Sequence, residues 1–235
     1  MRKTGIFALV LVAVGFLSAL GLCVGALFAP KTVFSNAATP LKVVVDAGHG
    51  GMDGGVVGRV TGKKESDLNL QIAYRLKTAL EDKGFAVALT RKTQGGLYGA
   101  ATKGFKRRDM QARKDIIERE NPSYVISLHQ NFYPSKSQRG AQVFYNAEYD
   151  THRAFAEYVQ AELNGLYEKE NVKNRTASKG DLYMLQCTKA PSVLVECGFL
   201  SNALDEALII SPAWQERIAG AIATGVMRFL SESAA

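Results

Sequence analysis

The stretch DAGHGGMDGG, residues 46–55, directly follows the apolar run VVV at residues 43–45. The run has the length and β-branching of a buried strand. A glycine cluster after such a strand is typical of the carboxyl edge of an α/β sheet, where functional groups usually lie. Because glycines let the backbone approach a ligand closely, His49 is predicted to be presented to solvent. A glycine-rich turn that carries a histidine by chance explains this stretch equally well. A dinucleotide-binding loop is excluded, since Asp53 stands where the third glycine of that fingerprint belongs.

Outward from this loop, apolar runs typical of strands alternate with segments whose apolar residues recur at helical spacing. Predicted strands cover residues 43–45, 85–89, 124–128, 140–145, 182–185 and 191–195, and predicted helices cover 66–80 with a cap at Ser66 or Asp67, 107–120, 151–166, 205–210 and 213–230. This alternation predicts an α/β fold: a single domain with a central, mostly parallel sheet flanked by helices. The 235 residues, 47% of them hydrophobic, suffice for one full-sized core.

The beginning of the chain departs from this globular pattern. Residues 5–29 form an uncharged apolar run that is longer than the ~20 residues a membrane-spanning helix needs. The run predicts an N-terminal transmembrane or signal-anchor helix over residues 1–30, a linker over 31–40 and a folded domain over 41–235. We therefore expect a membrane-anchored domain on the extracytoplasmic face. A cleaved signal peptide is the alternative, and the protein would then be secreted.

The net charge of the chain limits which binding partners are plausible. The formal charge of +7 fits a nucleic acid or another anionic surface. Translocation across a membrane excludes nucleic acid, which leaves the membrane surface and an acidic cell wall.

The three cysteines, Cys23, Cys187 and Cys197, lack paired metal spacing. Cys187 and Cys197 could pair in an oxidising compartment, but free buried thiols are the preferred interpretation.

Polar residues of the same kind follow two other predicted strands. His129 and Asn131 follow the third strand, and Glu196 follows the last one. Glu65, just before the first helix, is placed to turn back towards the edge that carries His49. Two neutral imidazoles and one carboxylate suit catalytic Zn²⁺, which keeps a fourth position for water, and a further carboxylate could move protons. The spacing matches no short metal motif, so four polar residues that tie loops together remain the alternative.

Other polar residues are predicted to lie outside this site. His152, at the start of a helix, is interpreted as a capping or solvated residue. The loop at 171–180 is polar, and a long substrate could lie across it. The basic residues in and before the helix at 107–120 are predicted to form a solvated face: Lys103, Lys106, Arg107, Arg108, Arg113 and Lys114.

Four motifs together carry a resemblance to a known family. They are DAGHGG at 46–51, Glu65 with LNL at 68–70, SLHQN at 127–131 and ECGFLSN at 196–202. In this order they resemble the zinc-dependent N-acetylmuramoyl-L-alanine amidases of bacterial cell walls, and the similarity runs from about Leu41 to Leu230. Those enzymes act on peptidoglycan and cleave the amide between the lactyl group of N-acetylmuramic acid and L-alanine of the stem peptide.

The resemblance assigns roles to individual residues. It implies that His49, Glu65 and His129 hold the zinc ion and that Glu196 is the catalytic carboxylate. Asn131 is expected to contact substrate, and Asp53 to help shape the site. An inactive, membrane-anchored wall-binding protein and a zinc peptidase or deacetylase are the alternatives.

Within the family, the insertion TKGFKRR at 102–108 and the short anchored architecture are most similar to the spore-cortex amidases. This similarity implies a role in cortex maturation, through formation of muramic-δ-lactam, and in germination. It also makes an activating lipoprotein a candidate partner. Ala47 replaces the proline usual in the family, Phe132 follows Asn131 where a small residue is common, and Cys197 follows Glu196. None of these departures removes an expected zinc ligand.

Overall fold

A computed structural model describes residues 39–233 of the chain. The predicted anchor at 1–30, nearly all of the linker at 31–40 and Cys23 lie outside the described residues. Within residues 39–233, no helix combines the length and the apolar character needed to cross a bilayer.

Six strands form one sheet in the order β2-β1-β3-β6-β4-β5. The strands are β1 Lys42–Ala47, β2 Ala86–Leu89, β3 Tyr124–Asn131, β4 Gln142–Tyr145, β5 Ser178–Lys179 and β6 Ser192–Phe199. β1 is parallel to β2 and β3, and β3 is parallel to β6, whereas β4 runs antiparallel to β6. The prediction of a single α/β domain with a mostly parallel sheet is therefore confirmed.

Helices cover both faces of the sheet. They are α1 Glu65–Glu81, α2 Phe105–Glu120, α3 Asp150–Glu168, α4 Tyr183–Gln186, α5 Ala203–Ile209 and α6 Pro212–Ser233. α1, α3 and α6 pack on one face through apolar residues at helical spacing, such as Ile72, Phe155 and Ile222, which are fully buried. Each such side chain stabilises the fold by ~1.5–3 kcal/mol through removal from water. α2 and α4 cover the opposite face with Ile117 and Met184.

Two predicted elements differ from the structure. α1 begins at Glu65 and has no side-chain cap, so the predicted cap at Ser66 or Asp67 is wrong. The N–H groups of Glu65 and Ser66 instead donate to the carbonyl groups of Val56 and Gly54 in the preceding loop, which removes the need for a cap. The predicted strand at 182–185 is wrong as well. That segment forms the short helix α4, and β5 occupies the sheet edge in its place.

Two predictions about solvated residues are also wrong. Arg113 is buried rather than part of a solvated face, because it forms ion pairs with Asp46 and Asp109. His152 is fully buried, because it lies on the same face of α3 as Phe155. Its ring lies 4.9 Å from that of Tyr149, and burial lowers its pKa. Cys187 and Cys197 are not paired with each other in the structure; Cys197 is buried as expected, whereas Cys187 is half-buried.

The ion pair and hydrogen bonds of the buried Asp46 carboxylate predict that the fold is sensitive to acid. Burial alone would raise the pKa of Asp46, but the charge of Arg113 and hydrogen bonds from Ser127 and Thr90 lower it to about 2. A carboxyl group whose pKa is lowered by folding stabilises the protein above its unfolded pKa of ~3.9, and this stability is lost as the pH falls through the folded value. Between pH 7 and pH 3, we expect the free energy of unfolding to fall by about 1 kcal/mol more in the wild type than in Asp46→Asn.

Urea unfolding of both proteins at the two pH values, with a chelator present throughout, measures this difference. The same pH dependence in the wild type and the variant would contradict the expected role of the Asp46 carboxylate.

Candidate metal centre and catalytic cleft

Three of the residues predicted to form the site come together at the carboxyl edge of the sheet. His49 lies in the loop after β1, Glu65 begins α1, and His129 lies near the end of β3. One nitrogen from each imidazole and one carboxylate oxygen all lie within 4.8 Å of one another. Two imidazoles and one carboxylate at this separation fit a divalent ion of the zinc type.

Glu65 is the centre of this cluster. Its Oε1 lies 3.4 Å from His49 Nε2 and 3.0 Å from His129 Nδ1, and it accepts hydrogen bonds from Gln130 N and Asn69 Nδ2. Its Oε2 accepts from Val56 N at 2.9 Å. Burial alone would raise the pKa of Glu65, but hydrogen bonds and charges of the two histidines lower it well below the usual value. The carboxylate is therefore ionised and ready to bind a cation.

Two glycines make room for the cluster. A Cβ atom at Gly48 would collide with the ring of His129, and one at Gly55 would collide with the carboxylate of Glu65. Gly55 also has a φ of +69°, which glycine adopts without strain. The glycine-rich sequence therefore lets two of the three candidate ligands pack directly against backbone.

Asp53 holds His49 from the side opposite Glu65. Its Oδ2 lies 3.1 Å from His49 Nδ1, and its Oδ1 lies 3.4 Å from Lys106 Nζ. A carboxylate on the second imidazole nitrogen fixes the tautomer in which Nε2 is free to bind a metal. His49 itself has a φ of 61°, an uncommon value for a residue other than glycine, and this places its ring at the cluster.

We expect Asp53→Asn to lower the affinity for Zn²⁺ by about 10- to 100-fold, because the imidazole of His49 loses its anionic partner. Competition with a chromophoric chelator measures this affinity. Asp115→Asn, on the exposed face of α2, is the matched control and should bind zinc as the wild type does. An unchanged affinity in Asp53→Asn would show that Asp53 does not orient His49.

A buried ion pair between Arg113 and Asp46 stabilises the loop that carries His49. Arg113 Nη1 donates to Asp46 Oδ1 at 2.6 Å and to Ala47 O at 2.7 Å, and Nη2 donates to His49 O at 2.6 Å. One guanidinium group thus fixes the backbone on both sides of Gly48. Sequence reasoning missed this role. Its only local signal is Asp109, four residues before Arg113 on α2, which also pairs with the arginine.

Glu196 lies beside the cluster without belonging to it. It stands on β6 directly opposite His129 in the parallel register. Its side chain is half-buried, and its Oε2 is buried without a hydrogen-bond partner among the described residues. Burial raises the pKa of Glu196 to about 7, although the charge of His129 opposes this shift. A carboxyl group with such a pKa can both accept and donate a proton near neutral pH.

A cavity of about 210 Å³ opens next to these groups. His49, Asp53 and His129 line one side, and apolar side chains of α2 and α4, among them Phe105 and Tyr183, line the other. Asn131 is half-buried on β3, where its backbone pairs with Phe199, and it does not line this cavity. The role of Asn131 in substrate binding stays a prediction.

Two imidazoles and a carboxylate at metal-binding separation, beside a carboxyl group with a raised pKa, suit the chemistry of a metal-dependent hydrolase. A family model described as N-acetylmuramoyl-L-alanine amidase matches residues 43–228, and the chain belongs to this family. It is accordingly an amidase that acts on peptidoglycan.

Individual proteins similar to this chain are also amidases. The chain is 35% identical over 194 residues to the germination-specific N-acetylmuramoyl-L-alanine amidase of Bacillus subtilis, which covers 81% of this chain and 80% of the relative. The structure of the CwlD amidase from Clostridioides difficile, in complex with the GerS lipoprotein, is similar with a TM-score of 0.77 and 34% identity, covering 82% of this chain and 99% of that one. An N-acetylmuramoyl-L-alanine amidase from Clostridium difficile 630 is similar with a TM-score of 0.71 and 26% identity, covering 82% of this chain and 97% of that chain. The chain is thus a CwlD-like amidase.

Proposed function

We propose that this amidase is zinc-dependent and that it acts on the spore cortex. Three candidate ligand atoms within 4.8 Å of one another, beside a carboxyl group with a raised pKa, are the observation that carries the zinc assignment. His49, Glu65 and His129 would hold the ion. A bound Zn²⁺ would supply an activated water and polarise the carbonyl group of the scissile amide.

The chain's own residues account for the proton transfers. Glu196 takes a proton from the attacking water and returns it to the departing amine of L-alanine. Its buried, unpaired Oε2 faces no competing donor in the described part of the chain, which keeps this oxygen available. Asp53 and Arg113 hold His49 in place while the charge at the site changes. The cavity next to His129 has the position to receive the groups that flank the amide bond.

Product analysis tests the reaction. Purified peptidoglycan is treated with the full chain, with and without a chelator, and the products are identified by mass spectrometry. We expect release of an intact stem peptide that starts at L-alanine, and loss of this release with the chelator. A shortened peptide would indicate a peptidase, and released acetate would indicate a deacetylase.

The cortex assignment rests on the similarity to the germination-specific enzyme and to CwlD. If the chain acts there, spores of a strain that lacks its gene should contain no muramic-δ-lactam, because the amide must be cleaved before the lactam can form. The lactam should return when the wild-type gene is restored but not with a Glu196→Gln gene. Normal lactam content in the deletion strain would contradict a cortex role.

Membrane anchoring and a partner lipoprotein complete the proposal. The apolar run at 5–29 supports an anchor over residues 1–30, with the catalytic domain at 41–235 on the extracytoplasmic side. The similar CwlD structure is a complex with the GerS lipoprotein, and we infer a lipoprotein partner for this chain on that basis. Fractionation of cells that produce the full chain tests the anchor, and recovery in the soluble fraction would contradict it.

A further inference from the structure

A second concave surface lies at the same edge of the sheet as the metal cluster. It is a cavity of about 390 Å³ between the loop before β4 and the loop after α3. Because β4 is antiparallel to β6, the start of β4 lies beside the carboxyl end of β6. The charged side chains that line the cavity are Arg139, Lys173 and Arg175, and all three are cationic. The proposed amide hydrolysis uses none of them.

The three cations are not equally neutralised. Arg139 Nε lies 2.9 Å from Oδ1 of Asp205, which is fully buried, so this pair is neutral overall. Arg175 donates from Nε to Arg139 O at 2.9 Å and from Nη2 to Gln138 Oε1 at 2.8 Å, but neither acceptor is charged. Within residues 39–233, its Nη1 has no hydrogen-bond partner, and Lys173 is exposed without an ion pair. The cavity therefore holds about two uncompensated positive charges at neutral pH.

The contacts of Arg175 show where the cavity lies relative to the carboxyl group of Glu196. Its guanidinium carbon lies 4.9 Å from the ring centroid of Phe199, three residues after Glu196 on β6. Three residues of a strand span ~10 Å. A second connection runs across the sheet, since Gln142 pairs with Glu196 and donates from Nε2 to the carbonyl of Thr176, the residue after Arg175, at 2.7 Å.

We propose that this cavity is a subsite for a carboxylate and that its occupant is the free carboxyl end of the substrate's stem peptide. The inference rests on the amidase assignment. The ~10 Å along β6 and the 4.9 Å from the Phe199 ring to Arg175 add to ~15 Å. A peptide held with its first residue at Glu196 therefore needs about four to five extended residues to reach Arg175, because each residue spans at most ~3.3–3.6 Å. A guanidinium group with free N–H groups binds carboxylates through short, charge-assisted hydrogen bonds. Phosphate groups of a wall polymer offer the same oxyanion chemistry, and the experiment separates the two sources.

Binding of the reaction product tests the proposal without turnover. Stem peptides that start at L-alanine are prepared with either a free carboxylate or a carboxamide at the C-terminus, and their affinities for the full chain are measured by calorimetry. We expect the free carboxylate to bind about tenfold more tightly in the wild type, the equivalent of one charge-assisted hydrogen bond. Arg175→Gln should abolish this preference and leave the affinity of the carboxamide within about twofold.

Matched variants separate charge from local structure. Arg175→Lys keeps the charge and should retain part of the preference, and Lys173→Gln should reduce it without disturbing the contacts of Arg175. Lys83→Gln removes an exposed charge from the turn after α1 and should leave both affinities unchanged.

Two results would overturn the proposal. One is equal binding of the two peptides by the wild type. The other is an Arg175→Gln variant whose affinity for both peptides falls by the same factor, since this would assign Arg175 a purely structural role. If the two peptides bind equally, binding of poly(glycerol phosphate) that Arg175→Gln abolishes would assign the cavity to a wall polymer. Failure of the amidase assignment itself would appear in the product analysis and not in these affinities.

Discussion

Replacing Glu196 by glutamine should lower kcat by about 10²- to 10⁴-fold, the usual contribution of a positioned general acid or base. The amide is close to the carboxyl group in shape, so the substitution removes proton transfer with little change in packing. Burial raises the pKa of Glu196 to about 7, which suits a group that must accept one proton and donate it again. KM should change little, because Glu196 acts on the transition state rather than on the bound substrate.

Zinc content distinguishes this role from that of a ligand. Glu196 is outside the group of three side chains that could hold a metal, so Glu196→Gln should still bind zinc as the wild type does. Glu168→Gln, at the exposed end of α3, is the control and should keep full activity. Loss of zinc from Glu196→Gln, or a kcat near that of the wild type, would show that the division of roles is wrong.

Glu65→Gln should lose activity as Glu196→Gln does, but for a different reason: it should also lose zinc. The anionic Oε1 lies within 3.4 Å of both imidazoles, and a neutral amide cannot replace its charge. We expect zinc affinity to fall by more than about 100-fold, beyond the loss caused by changes to groups that only support a ligand.

Thermal unfolding gives a readout of this loss that does not depend on activity. A ligand that binds only the folded state at 1,000 times its Kd adds about 4 kcal/mol of stability, so zinc should raise the Tm of the wild type clearly. Zinc at the same concentration should leave the Tm of Glu65→Gln almost unchanged. Glu81→Gln, at the far end of α1, should respond as the wild type does. A zinc-dependent rise in Tm in Glu65→Gln would remove Glu65 from the ligand set.

The fold class and the approach of His49 and His129 can be predicted from the sequence because both depend on the recognition of strands, and Glu65 can be placed near them because it stands where the first predicted helix begins. β-branched runs predict strands, and the ends of parallel strands meet at one edge of the sheet. The burial of Arg113 could not be predicted in this way. Its partner Asp46 is distant in the sequence, and an arginine among other basic residues on a helix has the same local pattern whether it faces water or a buried carboxylate.

His152 and α4 were mispredicted for related reasons. A histidine in the first turn of a helix is usually exposed, and only the packing of α3 against the sheet shows that its face is buried. The segment at 182–185 is too short for its period to distinguish a strand from a helical turn. The sheet edge available to it was already paired with β5.

The register between β3 and β6 has a consequence for how the chain can vary in length. His129 and Glu196 are opposite each other because β6 begins at Ser192, which pairs with Val125, and three residues separate Ser192 from Glu196. A single inserted residue in that interval would turn the carboxyl group to the face packed against α3 and α6. Insertions and deletions compatible with catalysis should therefore fall in the loops, while the segment from Ser192 to Glu196 keeps a constant length.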